Sequence, residues 1–149
     1  MAACAKTPAV ADGAAAGKDF LAKNAKVQGV ITTPSGLQYR VLNAGPPGGL
    51  RPKAADEVKV NYEGKLLDGT VFDSSFDRGT PAVMRVSELI PGWQEALQLM
   101  RPGDEWLIYV PAKLAYGDKG AGPIPPGSVL VFRLELIGVQ PDSSSVGRG

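Results

Sequence analysis

The chain has 149 residues, is 44% hydrophobic and carries a formal net charge of +1, which suits one domain with a sizeable core and tails and gives no electrostatic pull toward nucleic acid or a membrane surface. It has no histidine, so Ser-His-Asp and Cys-His nucleophile systems and histidine-ligated zinc are excluded. One cysteine excludes an intrachain disulfide, and no apolar run approaches the roughly 18 residues that span a bilayer.

Residues 1–17 are small, Ala-rich and weakly charged, and read as a flexible tether that cannot bury enough surface to order itself. Within it, Ala2-Ala3-Cys4 has two readings. One is the end of a bacterial lipoprotein signal without its hydrophobic part, with Cys4 lipidated and the protein periplasmic or attached to the outer membrane; the other is an exposed cysteine in a tail. Lys18 to Lys26 is expected to make a short helix, with Leu21 and Ala25 on one face and Gly29 as its stop, marginal without a packing partner. After the Thr33-Pro34-Ser35-Gly36 turn, Leu37, Tyr39 and Val41 alternate with outward Gln38 and Arg40 as a half-buried strand. Residues 18–45 thus form a leading helix and strand, closed by the Gly45-Pro46-Pro47-Gly48-Gly49 loop.

Residues 46–139 carry the main domain. Val58, Val60 and Tyr62 alternate with Lys59, Asn61 and Glu63; Asp68-Gly69 is a tight turn, and Thr70 to Phe72 return as the partner strand. Ser74 to Pro81 reads as a polar bulge or loop, after which Met84 and Val86 continue a strand. The one convincing core helix runs from about Pro91 to Met100, with proline tolerated in its first turn and Trp93, Ala96, Leu97 and Met100 on one face. Trp106, Ile108 and Val110 alternate as another strand, and residues 117–126 form a long Gly/Pro-rich loop. In the last strand Leu130, Phe132, Leu134 and Leu136 point inward; from Gln140 the tail is polar and expected to be disordered. The fold class is α+β, an antiparallel sheet of about five strands wrapped around one short α-helix.

Tyr62, Phe72 and Asp73 fall on the two paired strands, and Trp93, Tyr116, Ile124 and Phe132 at the ends of later elements. Any one inward aromatic is simply core; together, with tyrosine hydroxyls that need partners and a carboxylate able to accept from Tyr62 or pair with Arg78, they describe an aromatic pocket with one buried acid. A glycosidase-type carboxylate pair is excluded, since Glu63 points away from Tyr62 by strand alternation and Asp68 is used in the turn. Such a pocket suits catalysis by shape rather than by acid, base or metal.

Tyr62-Glu63-Gly64, Asp68-Gly69-Thr70, Phe72-Asp73-Ser74-Ser75, Ile90-Pro91-Gly92-Trp93, Tyr109-Val110-Pro111, Ala115-Tyr116-Gly117 and Ile124-Pro125-Pro126 together resemble the FKBP-type peptidyl-prolyl cis/trans isomerases, over roughly residues 30–139. Phe20-Leu21-Ala22, Asn24-Ala25-Lys26 and Ser35-Gly36-Leu37-Gln38-Tyr39 resemble the bacterial macrophage-infectivity-potentiator branch of that family. The resemblance implies an isomerase of Xaa-Pro bonds that assists the folding of exported proteins. Its catalytic pocket would be floored by Trp93 and walled by Tyr62, Phe72, Asp73, Tyr116 and Phe132, with Arg78, Met84, Leu89, Ile90 and Ile124 contributing to substrate and inhibitor binding. The Ile90 N–H and the Tyr116 hydroxyl would donate to the carbonyls of a prolyl ligand. The implied partners are proline-containing polypeptides and macrolides such as rapamycin, without nucleic acid, metal or cofactor; relatives of that branch dimerise through an N-terminal helical domain, for which residues 1–17 are too short, so a monomer is expected. The chain departs from the family pattern at Ala82 and Met84, where relatives often carry aromatics, so that a wider or softer rim is expected; at Phe76, where a polar residue is expected; and in the Asp118 to Pro123 loop, which lacks a histidine that some relatives have. A binding module or chaperone using the same pocket without turnover is the competing expectation.

Overall fold

The computed structural model describes residues 14–117 and 119–140; Cys4 and the rest of the tether before residue 14, Asp118 and the tail beyond Gln140 lie outside the described residues. The chain begins with helix α1 (Ala14–Asn24), followed by β1 (Ile31–Thr32), β2 (Gln38–Asn43), β3 (Glu57–Leu66), β4 (Val71–Ser74), the single-turn helix α2 (Ser75–Arg78) and β5 (Ala82–Arg85). A 3-10 turn (Val86–Glu88) leads into α3 (Pro91–Leu99), then β6 (Glu105–Val110), a second 3-10 turn (Ala112–Leu114) and β7 (Leu130–Gln140). The described strands form one seven-stranded sheet in the order β1-β2-β6-β7-β3-β4, with β5 also paired to β3. Every pairing is antiparallel. The sheet has seven strands where about five were expected; β1, which has no sequence reading, spans two residues, too few to declare a period.

One face of the sheet packs on α3. Trp93, Ala96, Leu97 and Met100 are all buried there, against Trp106, Ile108 and Val110 of β6 and Leu130, Phe132, Leu134 and Leu136 of β7. Each fully buried leucine of this set contributes about 1.5–3 kcal/mol relative to an exposed one. Pro91 is the first residue of α3, and Met100 closes it with N–H bonds to the carbonyls of Ala96 and Leu97.

The opposite face is covered by α1, which starts four residues before the expected Lys18, inside the segment read as tether, and ends two residues before Lys26. Its Phe20 ring lies 5.8 Å from Tyr109, and Asn24 Nδ2 donates to Gln38 Oε1 at 2.8 Å. Gln38 Nε2 donates in turn to the Leu21 carbonyl at 2.9 Å. This corrects the reading of β2: Gln38, expected outward, is buried, because a helix lies on its face of the strand. Val41, expected inward, is 44% exposed, lying where the β2–β6 register breaks between Val41 and Asn43. Tyr39 keeps its inward place, stacked 4.2 Å from Trp106.

Two further expectations change near β3. The polar stretch from Ser74 to Pro81 contains α2, capped by the Ser74 hydroxyl and ended by Gly79 in the left-handed region. Val86 does not continue β5; it is buried at the start of a 3-10 turn. The hairpin behaves as expected: Asp68 Oδ1 accepts from Thr70 N at 2.8 Å, and Gly69 takes φ 93°.

Candidate active site

Strand β3 turns Tyr62 and Gly64 toward the core, opposite Leu134 and Phe132 of β7. Gly64 has no side chain, and its place is taken by rings: a Cβ there would sit 2.6 Å from Phe72 Cζ and 2.7 Å from Phe132 Cε1. Trp93, at the start of α3, meets Tyr62 edge-on at 5.0 Å and Phe132 edge-on at 5.1 Å, and Phe132 meets Phe72 edge-on at 5.6 Å. Each such pair contributes about 0.5–1.5 kcal/mol beyond its buried area. The chain of rings bounds a pocket of about 130 Å³, whose remaining lining comes from Asp73, Met84, Leu89, Ile90 and Tyr116.

The polar wall is a closed ring of three side chains. Tyr62 Oη donates to Asp73 Oδ2 at 2.6 Å, Arg78 Nη1 donates to Asp73 Oδ1 at 2.6 Å, and Arg78 Nη2 donates to Tyr62 Oη at 2.8 Å. Asp73 is not a buried acid: its side chain is 43% exposed, at the pocket rim. Burial pushes its carboxyl upward, but the hydrogen bonds from Tyr62 and Arg78 and the guanidinium charge outweigh that and hold it below its ordinary value. Burial raises the Tyr62 hydroxyl above its ordinary range, and its bond to the Asp73 carboxylate adds to the rise. At neutral pH the ring is therefore carboxylate, guanidinium and neutral phenol, a fixed dipolar wall with no proton to give up.

The opposite side of the pocket offers donors. Ile90 precedes α3 in extended conformation, and its N–H has no acceptor among the described residues. Gln94, one turn into α3, donates from Nε2 to the Leu89 carbonyl at 2.7 Å and so ties the Leu89–Ile90 backbone to the helix that carries Trp93. Tyr116 stands 40% exposed at the lip, its hydroxyl also without a partner among the described residues.

The match with known proteins follows this geometry. Residues 48–137 match the family "FKBP-type peptidyl-prolyl cis-trans isomerase", and residues 2–41 match "Domain amino terminal to FKBP-type peptidyl-prolyl isomerase". The chain belongs to the FKBP-type isomerase family. It is 52% identical over 124 residues to the FKBP-type peptidyl-prolyl cis-trans isomerase FkpA of Aeromonas hydrophila, covering 83% of this chain and 46% of that one. It is 49% identical over 127 residues to the Outer membrane protein MIP of Legionella longbeachae, covering 85% and 54%. The crystal structure of FkpA from Escherichia coli superimposes with a TM-score of 0.85 at 44% identity, covering 91% of this chain and 62% of that one. The chain thus spans about half the length of these two curated relatives.

In this FKBP-type chain nine of the eleven expected site residues share one pocket: Tyr62, Phe72, Asp73, Met84, Leu89, Ile90, Trp93, Tyr116 and Phe132. Arg78 and Ile124 do not line it. Arg78 is the member of the polar ring set back from the cavity, holding Asp73 and Tyr62. Ile124 is 7% exposed in the core cluster, pinned by paired backbone bonds with Ala121 that draw the glycine-rich loop inward. Phe76 lies 39% exposed on the outside, under the Arg133 guanidinium at 4.6 Å, and takes no part in the rim. Sequence reasoning missed Gln94 and Gly64. A polar residue one turn into a helix can reach back to the preceding turn, which was a usable signal for Gln94; nothing local marks Gly64, whose role depends on a ring from another strand.

Proposed function

We propose that the chain accelerates cis/trans rotation about Xaa-Pro bonds in protein substrates by non-covalent binding of the twisted amide. The observation that carries this reading is an edge-to-face aromatic pocket flanked by two donors without partners among the described residues, Ile90 N–H and Tyr116 Oη, and by a proton-silent polar ring. The uncatalysed rotation has a barrier of about 18–20 kcal/mol, set by amide resonance. Rotation makes and breaks no bond to a heavy atom, so neither nucleophile nor proton shuttle is required.

A proline ring seated over Trp93 loses water, and the planar, more polar amide loses more from desolvation than the twisted one. The donors hold the flanking carbonyls while the prolyl ring stays fixed, so interactions strengthen toward the transition state. Each tenfold acceleration needs about 1.4 kcal/mol of this differential binding. The substrate class is proline-containing polypeptides, with macrolides such as rapamycin as expected ligands of the same apolar pocket.

The relative named Outer membrane protein MIP supports an export compartment, periplasmic or at the outer membrane, in which the chain would help secreted proteins fold. Lipidation at Cys4 would provide attachment; no described helix is long and apolar enough to cross a membrane. Mass spectrometry of the membrane-fraction protein tests this, an unmodified Cys4 ruling it out.

The activity is tested with short Xaa-Pro-Phe peptides, with and without rapamycin. Acceleration that rapamycin abolishes is the expected result. Binding of rapamycin with no acceleration by the protein would overturn the isomerase reading in favour of a prolyl-recognition module.

A further inference from the structure

The outer edge of β3 is paired in two separate stretches. Glu57 to Val60 pair with β5, and Glu63 to Lys65 pair with β4. Between them the chain leaves the sheet at Ser75, runs through α2 and returns at Ala82. Asn61 and Tyr62 are therefore left without a strand partner on that edge. A buried backbone N–H at such a break must find another acceptor.

It finds the Ser75 hydroxyl. Tyr62 N donates to Ser75 Oγ at 2.8 Å, and that hydroxyl donates to Asn61 Oδ1 at 3.0 Å. Ser75 is 0% exposed, the most deeply buried of the described polar residues. It is also the first residue of α2, and Arg78 is the last. The neighbouring Ser74 has a different task, accepting from Asp77 N at 3.2 Å as the helix cap.

We propose that Ser75 is a positioning residue for the polar wall, its buried hydroxyl locking the base of α2 onto β3 beside Tyr62 so that Arg78 closes the ring with Asp73 and Tyr62. The catalytic consequence rests on the isomerase reading; the geometric claim does not. A serine serving only to satisfy the core would stabilise the fold without governing where Arg78 lies. A serine that positions α2 couples two measurable things: the ionisation of Asp73, which depends on its bonds from Tyr62 and Arg78, and turnover.

The test is Ser75→Ala in the full chain, read by the NMR titration of the Asp73 carboxyl and by kcat/KM on a Xaa-Pro-Phe peptide. The expected result is a carboxyl midpoint that rises to its ordinary range and a fall in kcat/KM of about tenfold, in the range produced by small misplacements near a reacting centre. Met100→Ala, buried at the far end of α3, serves as the control: it lowers Tm while leaving the Asp73 midpoint in place. If Ser75→Ala fails to fold, Ser75→Cys keeps the approximate size and weakens the acceptor, and the same upward shift is expected. A Ser75→Ala or Ser75→Cys protein with lowered Tm but an unmoved Asp73 midpoint overturns the proposal. A wild-type protein without turnover, but with the midpoint shift present in the variant, overturns the isomerase reading and leaves the positioning role standing.

Discussion

Trp93 and Phe132 touch the same pocket as Asp73 but contribute differently to it. The two aromatics form its apolar surface and pack edge-on against each other, whereas Asp73 lies half-exposed at the rim and orients Tyr62. Removing an exposed ion pair costs about 0–1 kcal/mol, while changing a ring alters the surface on which a prolyl group would sit. Trp93→Leu and Phe132→Leu are therefore expected to lose about 100-fold in kcat/KM, and Asp73→Ala about tenfold or less, measured on one peptide with folding checked by circular dichroism. Complete loss in Asp73→Ala alone would require an acid role. The pH dependence has the matching sign. The depressed Asp73 carboxyl contributes stability that is complete above its ordinary value and is lost only as pH falls through the lower, folded-state value. The raised Tyr62 hydroxyl stays protonated through its ordinary range and is lost only as pH rises beyond it. With no histidine in the chain, kcat/KM is expected to be level between about pH 5 and 9; an inflection near neutrality in the pH–rate profile would contradict a proton-silent wall.

At the scale of elements, the site depends on a long strand meeting one helix. Strand β3 pairs with β7 on one edge from Glu57 to Leu66, and this register sets Gly64 opposite Phe132. Gly64→Ala would press a methyl into Phe72 and Phe132, both side chains that can shift a little. A loss of about 1–3 kcal/mol is expected, with a narrower pocket, read as a lower denaturant midpoint and a raised KM. Helix α3 was legible because its apolar spacing, its opening proline and its Pro102-Gly103 stop all agree. Helix α2 was not, since four residues cannot display a helical period and its capping signal, a serine before a serine, also reads as loop.

Over the whole molecule, α1 and α3 sandwich the central strands from opposite faces. The Phe20–Tyr109 contact and the Asn24–Gln38 bond make the leading segment part of the fold rather than a lead-in. Gly17 packs where a Cβ would come 2.6 Å from Val129 Cγ2, so the helix lies close against the loop before β7. Phe20→Ala is expected to lower stability by about 1–2 kcal/mol and Tm by about 2–8 °C, with kcat/KM unchanged, because α1 lies across the sheet from the pocket. Thermal unfolding beside the peptide assay checks both halves of that expectation.

From the sequence alone came the α+β class, the β3–β4 hairpin, the core helix, the inward face of β7 and nearly all the pocket residues. These follow from local rules, namely strand alternation, helical spacing and turn chemistry, together with motifs that resemble one family. Tertiary structure decided which face of β2 is buried, since a helix from earlier in the chain covers Gln38 and no periodicity in β2 can announce it. It also decided that Arg78 holds Asp73 and Tyr62 rather than lining the pocket, that Ile124 belongs to the core, and that Ser75 fills a gap in the ladder. Each of these depends on which segments meet after folding, and a side chain's neighbours across the sheet are not encoded in the residues beside it.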